Sequence, residues 1–203
     1  MIGVINYGSG NFKSVANILK YLDINFIEVL DWKKLKNLSH IILPGVGSYY
    51  DLISRLKNLE LLEELINQVK NKKTLYLGIC VGMQILSDFG TEEIKTTGLK
   101  LIEGSVDKIP VIRSTLPNIG WHKIILEKKN SSLFKNIKEE EMFFYFVHSY
   151  CFNLKNLKYC STSIIYEKKI IASIEKDNIF GVQFHPEKSQ IGGCKLLKNF
   201  CNL

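Results

Sequence analysis

Three residue types that together perform acyl transfer occur here in settings that suit it. They are a cysteine between two glycines, a histidine closing an apolar run, and a glutamate two residues beyond it. The segment Thr74-Leu75-Tyr76-Leu77-Gly78-Ile79-Cys80-Val81-Gly82-Met83-Gln84 reads as an apolar strand, then G-x-C-x-G, then a helical stretch expected to run to Phe89. This is the thiol counterpart of a nucleophile elbow, in which a tight strand-to-helix turn pushes the reactive side chain out of the sheet. Gly78 and Gly82 are required because side chains there would collide as the turn closes. A helix N-terminus beneath the sulfur favours negative charge, and the thiolate is the reactive form. Taken alone, G-x-C-x-G fits a buried structural cysteine equally well.

A thiol nucleophile needs a base, and the chain offers His40, His122, His148 and His185. His185 stands in Gly181-Val182-Gln183-Phe184-His185-Pro186-Glu187, where Pro186 ends the ladder and lets the imidazole emerge at a strand edge. In an extended segment Glu187 returns to the side of His185, where a carboxylate fixes the tautomer and stabilises the imidazolium. Pro44-Gly45-Val46-Gly47 follows a third apolar run, Ile41–Leu43. Its glycines free the backbone to aim amides at an oxyanion, so the expected donors are the N–H of Val81 and one from Val46 or Gly47. Without the other two motifs, PGVG would read as an ordinary strand-to-helix turn.

These groups need a sheet to hold them. Apolar runs at Ile2–Asn6, Phe26–Leu30, Ile41–Leu43 and Leu75–Leu77 alternate with amphipathic stretches at Phe12–Leu22 and Leu59–Val69, the βαβ rhythm of a parallel sheet. After Gly98 the pattern turns strand-rich: Leu99–Ile102, Val106–Ile109, Lys123–Leu126, Phe143–Val147, Cys160–Tyr166, Ile170–Glu175 and Ile179–Phe184. A last helix, Gly193–Cys201, carries Leu196, Leu197 and Phe200 on one face, and Pro110 to Pro117 is the only loop of any length. The expectation is a single α/β domain over residues 1–203, with a mixed, mostly parallel central sheet flanked by helices that gains antiparallel strands late.

Composition narrows the field. The net charge of +7 comes from lysines spread along the chain, and pairs such as Lys33-Lys34 and Lys168-Lys169 lack interleaved aromatics, so no nucleic-acid face is expected. No apolar run is long enough to span a bilayer, and Met1-Ile2-Gly3-Val4 enters a strand without a basic leader, so a soluble, cytoplasmic protein is expected. The five cysteines show no CxxC pair and read as reduced thiols. With the histidines they form no metal-ligand spacing, so neither metal nor organic cofactor is expected.

Six segments in chain order resemble the class I, triad-type glutamine amidotransferases. They are Asn6-Tyr7-Gly8-Ser9-Gly10-Asn11 with Ser14-Val15, then Pro44–Gly47, Leu77–Gln84, Pro117-Asn118-Ile119-Gly120-Trp121, Tyr145–Tyr150 and Gln183–Gln190. The match covers nearly the whole chain. PGVG and CVGMQ separate it from anthranilate-type relatives with PGPG and CLGHQ, and favour the histidine-pathway branch, the glutaminase subunits of imidazole glycerol phosphate synthase. The resemblance implies a flavodoxin-like architecture with Cys80 as nucleophile, His185 as acid and base, and Glu187 orienting it. It also implies that Gly47, Gln84, Ser149 and Tyr150 hold L-glutamine. Asn11, Trp121, Tyr145 and Lys188, with His122 in the same region, would face a (β/α)8-barrel cyclase in a heterodimer. The chain departs from the family at Gly120-Trp121-His122, where GWN is usual, and in a shorter Arg113–Leu116. Paralogues that amidate surface sugars, an inactive partner-binding scaffold and a cysteine peptidase on the same elbow are the competing readings.

Overall fold

The computed structural model describes residues 1–8 and 11–203, so Ser9 and Gly10 of the opening motif lie outside the described residues. Its centre is an eight-stranded sheet. Five strands run parallel, in the order β2 (Phe26–Val29), β1 (Ile2–Ile5), β3 (His40–Gly45), β4 (Leu75–Cys80) and β14 (Ile179–Val182). Three antiparallel strands extend it: β13 (Lys168–Lys176), β12 (Cys160–Tyr166) and the short β9 (Ile125–Leu126). All six residues of β3 and all four of β1 and β14 are buried, as expected of parallel strands covered on both faces.

The covering helices are amphipathic, although the stretch expected at Leu59–Val69 starts later, exposed Leu59 closing the helix before it. Helix α1 (Phe12–Tyr21) buries Val15, Ala16 and Leu19 and packs on α5 (Gln190–Cys201), which buries Leu196, Leu197 and Phe200. Helix α2 (Tyr49–Asn58) packs on α3 (Leu61–Lys70). Ser48 caps α2 by accepting the Asp51 N–H, and Asp51 pairs with Arg55 one turn on. Each leucine or isoleucine taken fully out of water in these faces contributes about 1.5–3 kcal/mol.

Two small sheets lie beside the main one. One pairs β8 (Asn118–Lys123) with β10 (Phe143–His148). The other orders β11 (Tyr150–Leu154), β7 (Gly104–Lys108), β5 (Phe89–Gly90) and β6 (Thr96–Thr97). Several sequence expectations are corrected here. Leu99–Ile102 is not a strand: its four N–H groups donate to the carbonyls of Ile85, Ser87 and Leu86, so it is a loop stapled to the chain leaving the elbow. Those carbonyls are thereby used up, and helix α4 (Val81–Gln84) is a single turn instead of running to Phe89. Lys123–Leu126 is divided between β8 and β9 at the buried Ile124, whose N–H donates to Met142 O. A second long loop, 127–138, accompanies 110–117. Among the described residues no helix is long and apolar enough to cross a membrane.

Parallel direction decides what meets what. Strands β3, β4 and β14 end on the same edge of the sheet, and their registers pair Gly45 with Cys80 and Ile79 with Val182. The PGVG loop, the elbow and the His185 turn therefore leave the sheet side by side, at the carboxyl ends where open α/β sheets place their sites.

Candidate active site

Cys80 closes β4 with φ 53° and ψ −111°, a conformation that costs strain and is typical of a nucleophile held out of a turn. The flanking glycines are needed by contact: a Cβ on Gly78 would strike the carbonyl of Gly82, and one on Gly82 would strike that of Leu43. Tyr76 Oη donates to Gly82 O at 2.7 Å and ties the turn back to the strand.

His185 is 1% exposed and Cys80 4%, and both line one cavity of about 280 Å³. His185 Nδ1 donates to Glu187 Oε1 at 2.7 Å. The segment joining them is not extended: Pro186–Lys188 is a 3₁₀ turn with proline at its first position, and Lys188 N–H donates to His185 O. The turn is clamped by β10, since His185 N–H donates to Tyr145 O and Tyr145 N–H to Ser189 Oγ, which in turn donates to His185 O. His185 Nε2 is buried without a protein partner among the described residues. Burial opposes charge on this ring, but the Cys80 and Glu187 side chains outweigh it and push the imidazole up to about 10.

The other histidines are disposed differently. His148 lines the same cavity, but Nδ1 donates to Tyr150 O at 2.8 Å and Nε2 accepts from Asn118 Nδ2 at 3.1 Å. Burial holds it down to about 4, so it is a neutral structural ring. His40 lies at the opposite, amino-terminal end of β3. His122 turns away from the outer face of β8 that carries Trp121. Its Nε2 donates to Asn118 Oδ1 at 2.7 Å and its ring packs edge-on against Phe146 and Tyr166, so it is not on the expected partner face.

In the PGVG loop, one of the two alternative expected donors is already engaged. Val46 N–H donates to Tyr7 Oη at 3.1 Å, so this expected donor is engaged outside the cavity. Gly47, at φ 98°, lines the cavity and takes a left-handed conformation that suits glycine. Val81 opens α4, and a first-turn N–H has no acceptor within its helix.

Gln84, Ser149 and Tyr150 all line the cavity. The Gln84 amide is fixed, its Nε2 donating to Tyr150 O and Gln183 Oε1, both at 3.0 Å. Gln183 Nε2 in turn lies 3.6 Å from Cys80 Sγ. Two lining or contacting groups carry no local signal in the sequence. Gln183 is one, and only its register beside Cys80 discloses it. Glu92 is the other: its Oε2 accepts the Tyr49 N–H at 2.9 Å, and burial raises its carboxyl against that bond. A larger surface hollow of about 610 Å³, lined by Trp32, Lys57 and Glu60, contains none of these groups.

Trp121, Tyr145 and Lys188 form a stack on the outer face. The two rings meet edge-on at 6.0 Å, Lys188 Nζ stands 5.7 Å from the Tyr145 ring, and Trp121 is 45% exposed. Asn11 points inward instead, donating to Glu187 Oε1 at 2.7 Å. Among the described residues no cluster of three or more His, Cys, Asp or Glu side chains could hold a metal ion.

Comparison with known proteins gives concordant results. The family profile described as Glutamine amidotransferase class-I matches residues 4–202. The chain is 41% identical to the imidazole glycerol phosphate synthase subunit HisH of Pelagibacter ubique, over 100% of this chain and 99% of the relative. It is 42% identical to HisH of Caldanaerobacter subterraneus subsp. tengcongensis, over 98% and 97%, and 39% identical to HisH of Leptospira borgpetersenii, over the full length of both. Among solved structures, a glutamine amidotransferase aligns with TM-score 0.74 at 16% identity, over 100% of this chain and 99% of that one. PurLQS from Thermotoga maritima aligns with TM-score 0.72 at 18% identity, over 99% and 97%. These last two establish likeness of fold.

Proposed function

The chain belongs to the glutamine amidotransferase class-I family, and from that premise we propose that it is the glutaminase subunit of imidazole glycerol phosphate synthase. It hydrolyses L-glutamine and passes the ammonia to a (β/α)8-barrel cyclase in a heterodimer. The observation that carries this reading is the buried His185–Glu187 pair, its Nε2 without a protein partner among the described residues, in the same cavity as the Cys80 thiol at the elbow.

The chemistry follows from the atoms. The Cys80 thiolate attacks the side-chain amide carbon of glutamine, and the negative charge gathers on the amide oxygen. In this reading Val81 N–H holds that oxygen, together with a loop donor from Gly47, or from Val46 once its peptide leaves Tyr7. His185 Nε2–H protonates the departing nitrogen as the C–N bond breaks, releasing ammonia and leaving a γ-glutamyl thioester. The ring, now neutral, takes a proton from water, which attacks the thioester. Glutamate is released and the thiolate–imidazolium couple is restored, so one glutamine and one water give one glutamate and one ammonia. Glu187 holds Nδ1–H throughout and keeps Nε2 aimed at the sulfur.

Substrate selection is assigned to the cavity walls. The Glu92 carboxylate suits the α-ammonium of a free amino acid, while Gln84, Gly47, Ser149 and Tyr150 shape a space the size of one amino acid. The outer stack of Trp121, Tyr145 and Lys188 gives the partner an aromatic and cationic anchor. The direct test is Cys80→Ala in the complex. Glutamate formation is expected to stop while synthesis from added ammonium continues, and retained glutamine hydrolysis would overturn the assignment.

A further inference from the structure

We propose that Asn11 is a positioning residue for the hydrolysis, a fourth member of the Cys80–His185–Glu187 array that fixes the carboxylate on which the imidazole depends. This rests on the glutaminase reading above. Asn11 Nδ2 donates to Glu187 Oε1 at 2.7 Å, the same oxygen that accepts His185 Nδ1–H at 2.7 Å. The other carboxylate oxygen, Oε2, is buried without a protein partner among the described residues. Among the described residues, every hydrogen bond to the Glu187 carboxylate therefore falls on Oε1, from one donor in its own turn and one that is 176 residues away in sequence.

The direction of the Asn11 amide is itself set. Ser14 Oγ donates to Asn11 Oδ1 at 2.6 Å, which leaves the NH₂ facing Glu187. Reversing the amide would put oxygen against oxygen. Asn11 also occupies the N-cap position of α1, where an asparagine ordinarily accepts an N–H of the first helical turn. Its side chain makes no cap hydrogen bond. The oxygen is spent on Ser14 and the nitrogen on Glu187, so the residue forgoes the role that helix stability alone would give it.

The chemistry favours an amide at this point. A glutamate side chain has three rotatable bonds, and a single contact along the His185 direction leaves the carboxylate free to pivot. A second donor from a different element removes that freedom. Because an amide donates but never takes the proton, the carboxylate stays available to the imidazolium. A lysine would hold it too, but its positive charge would oppose protonation of His185.

The test is steady-state glutamine hydrolysis at saturating cyclase partner. Asn11→Ala is expected to lower kcat by about 10- to 100-fold, the cost of a slightly misplaced catalytic group, with KM for glutamine within about twofold. Ser14→Ala, which frees the amide to rotate, is expected to give a smaller loss of the same kind and serves if the first variant does not fold. The deciding measurement is the double variant Asn11→Ala/Glu187→Ala, in which the shared acceptor is gone. If Asn11 acts through Glu187, it is no slower than Glu187→Ala alone. Losses that multiply, a change confined to KM, or an unchanged kcat would each overturn the proposal. Absence of glutamate formation by the wild-type complex would instead defeat the glutaminase reading, and this proposal with it.

Discussion

Tyr7 grips the backbone of Val46 from both sides, its hydroxyl accepting the Val46 N–H at 3.1 Å and donating to the Val46 carbonyl at 3.2 Å. The phenol is buried, and burial pushes it up to about 12, so it remains a neutral O–H able to do both. The Val46 N–H, one of the proposed oxyanion donors, is thus engaged by a side chain just past the carboxyl end of β1. Tyr7→Phe removes both bonds. Basal hydrolysis by the isolated chain is expected to rise about five- to tenfold, the population shift that one ordinary hydrogen bond of about 1 kcal/mol controls. Initial rates of glutamate formation without partner check this, and a rate at or below wild type contradicts it.

The His185–Glu187 pair carries a pH signature. With its folded value raised from 6.5 to about 10, His185 contributes stability that is fully present below pH 6.5 and lost as pH rises toward 10. Glu187→Gln removes one of the two side chains holding the ring up. The alkaline limb of kcat, where imidazolium must survive to protonate the departing amide nitrogen, is expected to move to lower pH. The stability difference between wild type and variant is expected to be largest below pH 6.5 and to shrink above it. Chemical denaturation at a series of pH values, beside a pH–kcat profile, reads both. A difference that grows with pH contradicts the account.

Glu92 offers a cleaner separation of binding from chemistry. Glu92→Gln keeps the shape of the cavity and an acceptor for the Tyr49 N–H, but removes the charge assigned to the substrate ammonium. The expected result is a rise of about 10-fold or more in KM for glutamine with kcat nearly unchanged, the mark of an interaction equal in ground and transition states. A loss confined to kcat would place Glu92 elsewhere in the reaction.

How much of this was legible in the sequence depended on whether the controlling contact was local. Gly78, Cys80 and Gly82 declare the elbow because its steric demand lies within five residues. His185 and Glu187 are legible as a pair for the same reason, although a 3₁₀ turn, not an extended chain, brings them together. The parallel strands announce themselves because burial on both faces leaves continuous apolar runs. Leu99–Ile102 misled because its apolar residues pack under a loop whose N–H groups serve the elbow's carbonyls instead of a neighbouring strand. Tyr7, Glu92, Gln183 and the inward turn of Asn11 were not legible. Each acts on a partner 39 to 176 residues away, and no pattern of spacing encodes such a meeting.

The central claim is that Cys80 is the nucleophile toward glutamine, set apart from the half-buried Cys194 and Cys201 by its place at the elbow. Incubation with a diazo-ketone analogue of glutamine, followed by mass spectrometry of the digested chain, tests it directly. The account predicts one covalent adduct, on the peptide containing Cys80, formed more slowly in His185→Ala and suppressed by excess glutamine. An unmodified Cys80 in a preparation that still forms glutamate, or an adduct at another cysteine, would contradict it.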